Sequence, residues 1–143
     1  MRARGGCVFC AIVAGGEPAA IVFRDDDVIA FLDHRPLLPG HVLVAPVRHV
    51  DDLEHLPEAL IAPLFSRVRA VERALVSALG ADGGFVALND RVSQSVPHLH
   101  VHVVPRRRGD GLFREALVWK RTSYRSSDEM TSVAERLRAA LER

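Results

Sequence analysis

A chain of 143 residues can build one hydrophobic core but not two comfortable domains, so a single domain over 1–143 is expected. Its 48% hydrophobic and 26% charged residues are the balance of a soluble globular protein. A formal net charge of +1 provides no global field toward nucleic acid or an anionic membrane, and neither is expected as a partner.

The N-terminal stretch MRARGGCVFCAIVAGGEP lacks the apolar core and cleavage site of a signal peptide. No apolar run reaches the ~20 residues of a bilayer span, so a cytoplasmic location is expected. Cys7 and Cys10 form a Cys-x-x-Cys pair. A structural disulfide is the least expected use in a reducing compartment, and no strand precedes Cys7 as a thioredoxin-like pair would need. Two readings stay open: half of a zinc site that needs two further ligands, or two small buried hydrophobes.

Residues 8–14 predict a short helix stopped by Gly15 and Gly16. Two strands follow around a turn at Asp25–Asp27, the second ending near Asp33. The segment RPLLPG is a loop broken by Pro36, Pro39 and Gly40, and HVLVAP (41–46) is a third strand. Leu60, Ile61, Leu64, Phe65, Val68, Val71 and Leu75 then recur at three and four, the stripe of an amphipathic helix ending at Gly80. Pro63 would clash with the carbonyl of Ala59, which predicts a kink or a late start. Strands are expected at 83–89 and 98–105, and a closing helix over 127–143 with Ser127 or Asp128 as its cap. About five strands and two principal helices that do not alternate predict an α+β domain around a mainly antiparallel sheet.

The segment SVPHLHVHVVP places His98, His100 and His102 at alternate positions. On a strand they share one face, while Leu99, Val101 and Val103 face the core. At ~3.3 Å per residue the outer two lie roughly 13 Å apart, too far for all three to hold one tetrahedral ion. Their roles must therefore differ. Upstream, Ser95, Gln94 and Asn89 are neutral groups able to hold phosphate oxygens while an imidazole attacks.

QSVPHLHVHVV resembles the signature of the histidine triad superfamily, and the similarity extends through FLDHRPLLPGHVLVAPVRH back to CVFCAIVAG, roughly Cys7 to Arg106. Residues 107–143 would be a C-terminal extension that includes the closing helix. The resemblance is to the zinc-containing Cys-x-x-Cys branch of Hint- and Fhit-like nucleotide hydrolases and transferases. It implies cleavage at the α-phosphate of a nucleotide conjugate, a phosphoramidate or a dinucleoside polyphosphate, through a nucleotidyl-histidine intermediate on His100. His102 would bind phosphoryl oxygens, Ser95 would assist the leaving group, and Asn89 and Gln94 would contact phosphate. Asp33 would accept bonds from the ribose hydroxyls, Phe9, Ile12, Phe31 and Leu43 would line the base pocket, and His41 would back the triad.

The same resemblance implies a structural zinc held by Cys7, Cys10, His49 and His98, a purine nucleotide or nucleotide conjugate as ligand, and a two-fold homodimer. His34 and His55 are expected to be solvent-exposed. One departure is the short loop DRVS between Asn89 and Gln94, with Ser93 where the family commonly has glycine, which suggests a tight phosphate loop. The alternative function is a non-catalytic nucleotide- or partner-binding zinc module of the same fold. Arg106, Arg107, Arg108, Arg114, Lys120, Arg121 and Arg125 read as a solvated, partly paired surface, or as charges that steer polyphosphates to the site.

Overall fold

Residues 5–114 and 119–142 are described by the structure, a computed structural model. In chain order the elements are α1 (Val8–Val13), β1 (Ile21–Arg24), β2 (Val28–Leu32), β3 (Val42–Pro46), α2 (Glu58–Leu79), β4 (Gly83–Ala87), β5 (Val101–Arg106) and α3 (Ser127–Leu141). The strands form one five-stranded sheet in the order β1-β2-β3-β5-β4, and every neighbouring pair is antiparallel. The fold is α+β.

Local chemistry accounts for the element ends. Asp25 closes the β1–β2 turn because its Oδ1 accepts from the amides of Asp27 (2.9 Å) and Val28 (2.8 Å). The α2 helix stops at Gly80, whose φ of 68° is the left-handed conformation that glycine adopts at no steric cost. No late start occurs at Pro63: α2 begins at Glu58 and contains the proline. Only the carbonyl of Ala59 loses its helical donor, and Ala59 is exposed to water. Ile61 and Phe65, read as part of the apolar stripe, are instead 46% and 44% exposed on the outer side of α2.

Two strand limits are also corrected. The strand expected over 98–105 enters the ladder only at Val101, because its neighbour β3 ends at Pro46, which has no amide hydrogen. The strand expected over 83–89 pairs only through Ala87. The cap of α3 is Ser126 rather than Ser127 or Asp128, since its Oγ accepts from the amide of Glu129 at 3.1 Å. Arg143, included in the expected helix, lies outside the described residues.

β2 and β3 are buried along their whole length, so both sheet faces are covered. On one face α2 and α3 pack over Val28, Ala30, Leu32, Val42, Val44, Leu99, Val101 and Val103. On the other, the short α1 packs over Ile29, Phe31, Leu43 and Ala45. That face carries the histidine row. The chain after β5 returns to the β2–β3 loop: Thr122 donates from its amide (2.7 Å) and its hydroxyl (2.9 Å) to the carbonyl of Pro36. The amide of Gly40 donates to the Tyr124 hydroxyl at 3.0 Å. Gly40 is obligatory here, since its φ is 102° and a Cβ would stand 2.6 Å from Leu79 Cδ1 and 3.2 Å from Pro105 Cγ. Among the described residues no helix is long and apolar enough to cross a membrane.

Candidate active site and metal centre

The N-terminal segment meets the start of the histidine row at a compact group of four side chains, Cys7, Cys10, His49 and His98, whose ligand atoms all lie within 4.8 Å of one another. Cys7 Sγ stands 3.5 Å from His98 Nδ1, and Cys10 Sγ stands 3.3 Å from His49 Nδ1 and 3.7 Å from His98 Nδ1. Bonds of ~2.0–2.3 Å to a tetrahedral ion require ligand separations of about this size. The ring protons agree with that use. His98 Nε2 faces the carbonyl of Pro46 at 2.8 Å, which can only accept, so Nε2 carries the hydrogen and Nδ1 presents its lone pair to the cysteines. His49 Nε2 likewise donates to Asp51 Oδ1 at 2.7 Å, the carboxylate–histidine arrangement that orients a zinc ligand. The cluster is a structural zinc site: four protein ligands leave no open position on the ion.

The next two histidines of the row have partners equally fixed in sense. His100 Nδ1 lies 2.7 Å from the carbonyl of His98 and must donate, which leaves Nε2 as an unprotonated nitrogen. Burial, opposed by that carbonyl bond, pushes its pKa down and keeps the ring neutral. The amide of Leu37 donates to His41 Nδ1 at 3.1 Å, so the hydrogen of neutral His41 sits on Nε2. His41 Nε2 is 2.9 Å from His102 Nδ1, which accepts it, and His102 is left with its hydrogen on Nε2. Desolvation drives both rings toward the neutral form, His41 to about 4 and His102 to about 3. Adjacent positions on one face thus carry opposite functions: His100 offers a lone pair and His102 offers a donor.

Beside them opens a cavity of about 760 Å³ lined by Phe9, Ile12, Phe31, Leu43, Asp33, Ser95, His100, His102 and Arg121, among others. Phe9 packs edge-on against Phe31 (5.2 Å) and His100 (4.9 Å). Asp33 sits at the end of β2, its Oδ1 accepting from the amide of Arg35 at 3.0 Å and its Oδ2 from Arg121 at 2.7 Å. Burial raises the Asp33 carboxyl, but the Arg121 bond, His41 and the Arg35 amide outweigh it, and the group lies below the usual carboxylate range.

Three of the residues predicted for the substrate site, as distinct from the metal ligands, stand outside the cavity lining. His41 is fully buried behind His102. Gln94 ties its own loop down, with Nε2 donating to the carbonyl of Asp51 (2.7 Å) and Oε1 accepting from the amide of Arg91 (2.8 Å). Asn89 is half-buried where the chain leaves β4. The loop is tight: Arg91 and Ser93 hold φ of 65° and 59°, the region that favours glycine. His34 and His55 are exposed.

Sequence reading missed Arg121 and Trp119. Arg121 belongs to the basic stretch that reads as a solvated surface or as steering charges, and it lines the cavity bonded to Asp33. Trp119 packs edge-on against His102, 4.7 Å between ring centroids. Nothing in the local sequence separates Arg121 from its basic neighbours; the signal is its non-local contact. Two other arginines of that segment pair with nearby carboxylates. Arg106 makes two bonds to Asp110, and Arg125 pairs with Glu129.

Residues 14–109 match the model of the HIT domain family. The chain is 42% identical over 108 residues to an uncharacterized HIT-like protein of Mycobacterium tuberculosis, covering 74% of this chain and 75% of that one. It is 35% identical over 109 residues to the adenylylsulfatase HINT3 of Arabidopsis thaliana, covering 75% of this chain and 55% of that protein. A zinc-bound histidine triad family protein of Mycobacterium smegmatis superposes with a TM-score of 0.82 at 38% identity, covering 96% of this chain and 94% of the other. With its five-stranded antiparallel sheet, its Cys₂His₂ cluster and a domain match over most of its length, the chain belongs to the HIT, or histidine triad, family.

Proposed function

We propose that the chain is a nucleotidyl hydrolase or transferase that cleaves at the α-phosphate of a nucleotide conjugate through a covalent intermediate on His100. The observation that carries this reading is the pair of tautomers set by obligatory partners: the carbonyl of His98 leaves His100 Nε2 with a lone pair, and the Leu37–His41–His102 relay leaves His102 Nε2–H as a donor. A non-catalytic binder has no need of a nucleophile beside a donor in a cavity of this size. The adenylylsulfatase name of the Arabidopsis relative favours a substrate with an adenylyl group joined to a good leaving group.

In the first step His100 Nε2 attacks the α-phosphorus, forming an N–P bond as the bond from phosphorus to the leaving group breaks. The departing atom takes a proton delivered with the help of Ser95 or water. His102 Nε2–H holds a phosphoryl oxygen as charge builds on it. In the second step water attacks the phosphorus and gives up a proton, which replaces the one that Ser95 or water lost in the first step, the N–P bond breaks, and the nucleotide leaves with the lone pair of His100 Nε2 restored. Two easier displacements replace one hard one. Asp33 holds the ribose hydroxyls, and Phe9, Ile12, Phe31 and Leu43 hold a purine base. Gln94 acts by fixing the loop that carries Ser95, and Asn89 contacts phosphate. Zinc, when bound, supplies structural cross-linking of α1 to the row. A homodimer built on the free edge of β4 completes the expected assembly.

Adenosine 5′-phosphoramidate tests the proposal. The wild-type chain releases AMP, and acid-free quenching followed by mass spectrometry finds a nucleotidyl group on His100. His100→Asn loses both, with kcat/KM lower by on the order of 10⁴-fold. Nucleotide binding without turnover or adduct, tried with adenine and guanine conjugates, would instead identify a binding module.

A further inference from the structure

The residues that follow the matched domain reach back into the cavity. Arg121 lies beyond residue 109, where the family match ends, yet its Nη1 donates to Asp33 Oδ2 at 2.7 Å and to the carbonyl of Arg35 at 2.6 Å. Both hydrogens of Nη1 are thereby used. The same carboxylate takes the Arg35 amide on its other oxygen, at 3.0 Å. Carboxylate, guanidinium and the Arg35 peptide thus close a ring in which the plane of the carboxyl group is fixed. Each carboxylate oxygen still has a second lone pair to accept a hydroxyl. The backbone behind the arginine is held as well, by the Thr122 bonds to Pro36 and by Tyr124 on Gly40. Every one of these anchors falls on residues 33–40, the segment that carries Asp33 to the cavity.

We propose that Arg121 is a positioning and specificity residue: it locks the Asp33 carboxylate in the orientation that accepts both hydroxyls of a ribose, so the chain prefers ribonucleotides over deoxyribonucleotides through a residue outside its family domain. This rests on the nucleotide reading above and on Asp33 as the ribose acceptor. Arg121 itself touches the carboxylate, not the reacting phosphorus, so its loss should weaken binding and leave chemistry in place. The low carboxyl pKa of Asp33 agrees, since an acceptor of two hydroxyls must stay ionised. A carboxylate already compensated by a guanidinium also faces the adjacent phosphates with less repulsion.

The test is a comparison of AMP, 2′-deoxy-AMP and 2′,3′-dideoxy-AMP by calorimetry, with the matching 5′-phosphoramidates for kinetics, on wild type, Arg121→Ala, Arg121→Lys and Asp33→Ala. Arg121→Ala should weaken AMP roughly 10-fold and dideoxy-AMP less than 2-fold, the loss appearing in KM rather than kcat. Asp33→Ala should give the same collapse of the ribose preference, and adding Arg121→Ala to it should cost nothing more. Arg121→Lys, which keeps a charge at the site, should recover part of the preference and shows that the strap remains folded. Equal loss on all three nucleotides, or no loss on any, overturns the proposal and leaves Arg121 a structural tie. Wild-type binding with the ribose preference but no turnover would overturn the enzymatic reading while sustaining this one. Failure of every nucleotide to bind would overturn both.

Discussion

Four imidazoles of the site meet a group that can only give or only take a hydrogen (His98 the Pro46 carbonyl, His100 the His98 carbonyl, His49 the Asp51 carboxylate, His41 the Leu37 amide), and His102 takes its sense from His41. The protons are therefore placed by backbone geometry and not by pH, provided the rings stay neutral. Burial makes them so, and that has a cost in acid. For His41 and His102 the folded pKa values, about 4 and about 3, lie below the 6.5 of an unhindered histidine. The unfolded chain then binds protons that the native chain refuses, so the stability these groups contribute is complete above pH 6.5 and is lost as pH falls from there toward about 4 for His41 and about 3 for His102. Each contributes a slope of up to about 1.4 kcal/mol per pH unit within that window. Urea midpoints at steps from pH 7.5 to 4.5 should fall steeply for wild type and less steeply for His41→Asn, which removes one of the two rings. Parallel slopes for the two proteins would show that His41 is not held neutral. The variant should also be less stable at pH 7.5, by about 1–3 kcal/mol, where it leaves His102 Nδ1 buried without its donor.

At the scale of elements, the N-terminal helix depends on the metal centre. α1 has six residues, too short to persist alone, and its cap is the sulfur of Cys7, which accepts from the amide of Cys10 at 3.4 Å. Without zinc, Phe9 and Ile12 lose the tether that presses them onto Phe31 and Leu43, and the apolar wall of the cavity opens. Chelation should release about one zinc per chain, lower Tm by roughly 10 °C for a loss of a few kcal/mol, and expose the amides of 8–13 to hydrogen exchange. Unchanged exchange there after complete metal removal would show that packing alone holds α1. These elements also show what a single sequence can reveal. The histidine alternation, the Cys-x-x-Cys pair and the breakers at Gly15, Pro39, Gly40 and Gly80 are local patterns, and each marks its element within a few residues. His49 could be joined to the cysteines only through a family resemblance, because its partnership spans 39 residues. The particular contacts of Arg121 and Trp119 were not legible. Arg121 pairs with a residue 88 positions earlier and Trp119 packs on His102, and no period or motif encodes that a basic stretch will double back onto Asp33. Ile61 and Phe65 failed in the opposite sense: the stripe on α2 is wider than the face that the sheet can cover.

That surplus apolar surface bears on the assembly of the whole molecule. β4 lies at the end of the strand order, and among the described residues it pairs only with β5, so its outer row of backbone groups has no described strand beside it. Val86 on this strand is 45% exposed, and its register partner Val103 belongs to the core under α2 and α3, so Val86 projects on the helix side of the sheet. Two residues before it, Gly84 sits against α2, where an added Cβ would come within 3.0 Å of Glu72 Cγ. The exposed residues of α2, Ile61, Phe65 and Val76, therefore border the same open edge as Val86. A second copy related by a two-fold axis can place its own β4 antiparallel to this one and cover both patches with a self-complementary surface. Light scattering should then give a mass near twice 15.7 kDa. Val86→Lys and Phe65→Lys, which put charge into the patch without touching the core, should each shift the mass toward one chain at low micromolar concentration. A wild-type mass of one chain at all concentrations would rule the two-fold assembly out, and a dimer indifferent to both lysines would move its interface elsewhere on the surface.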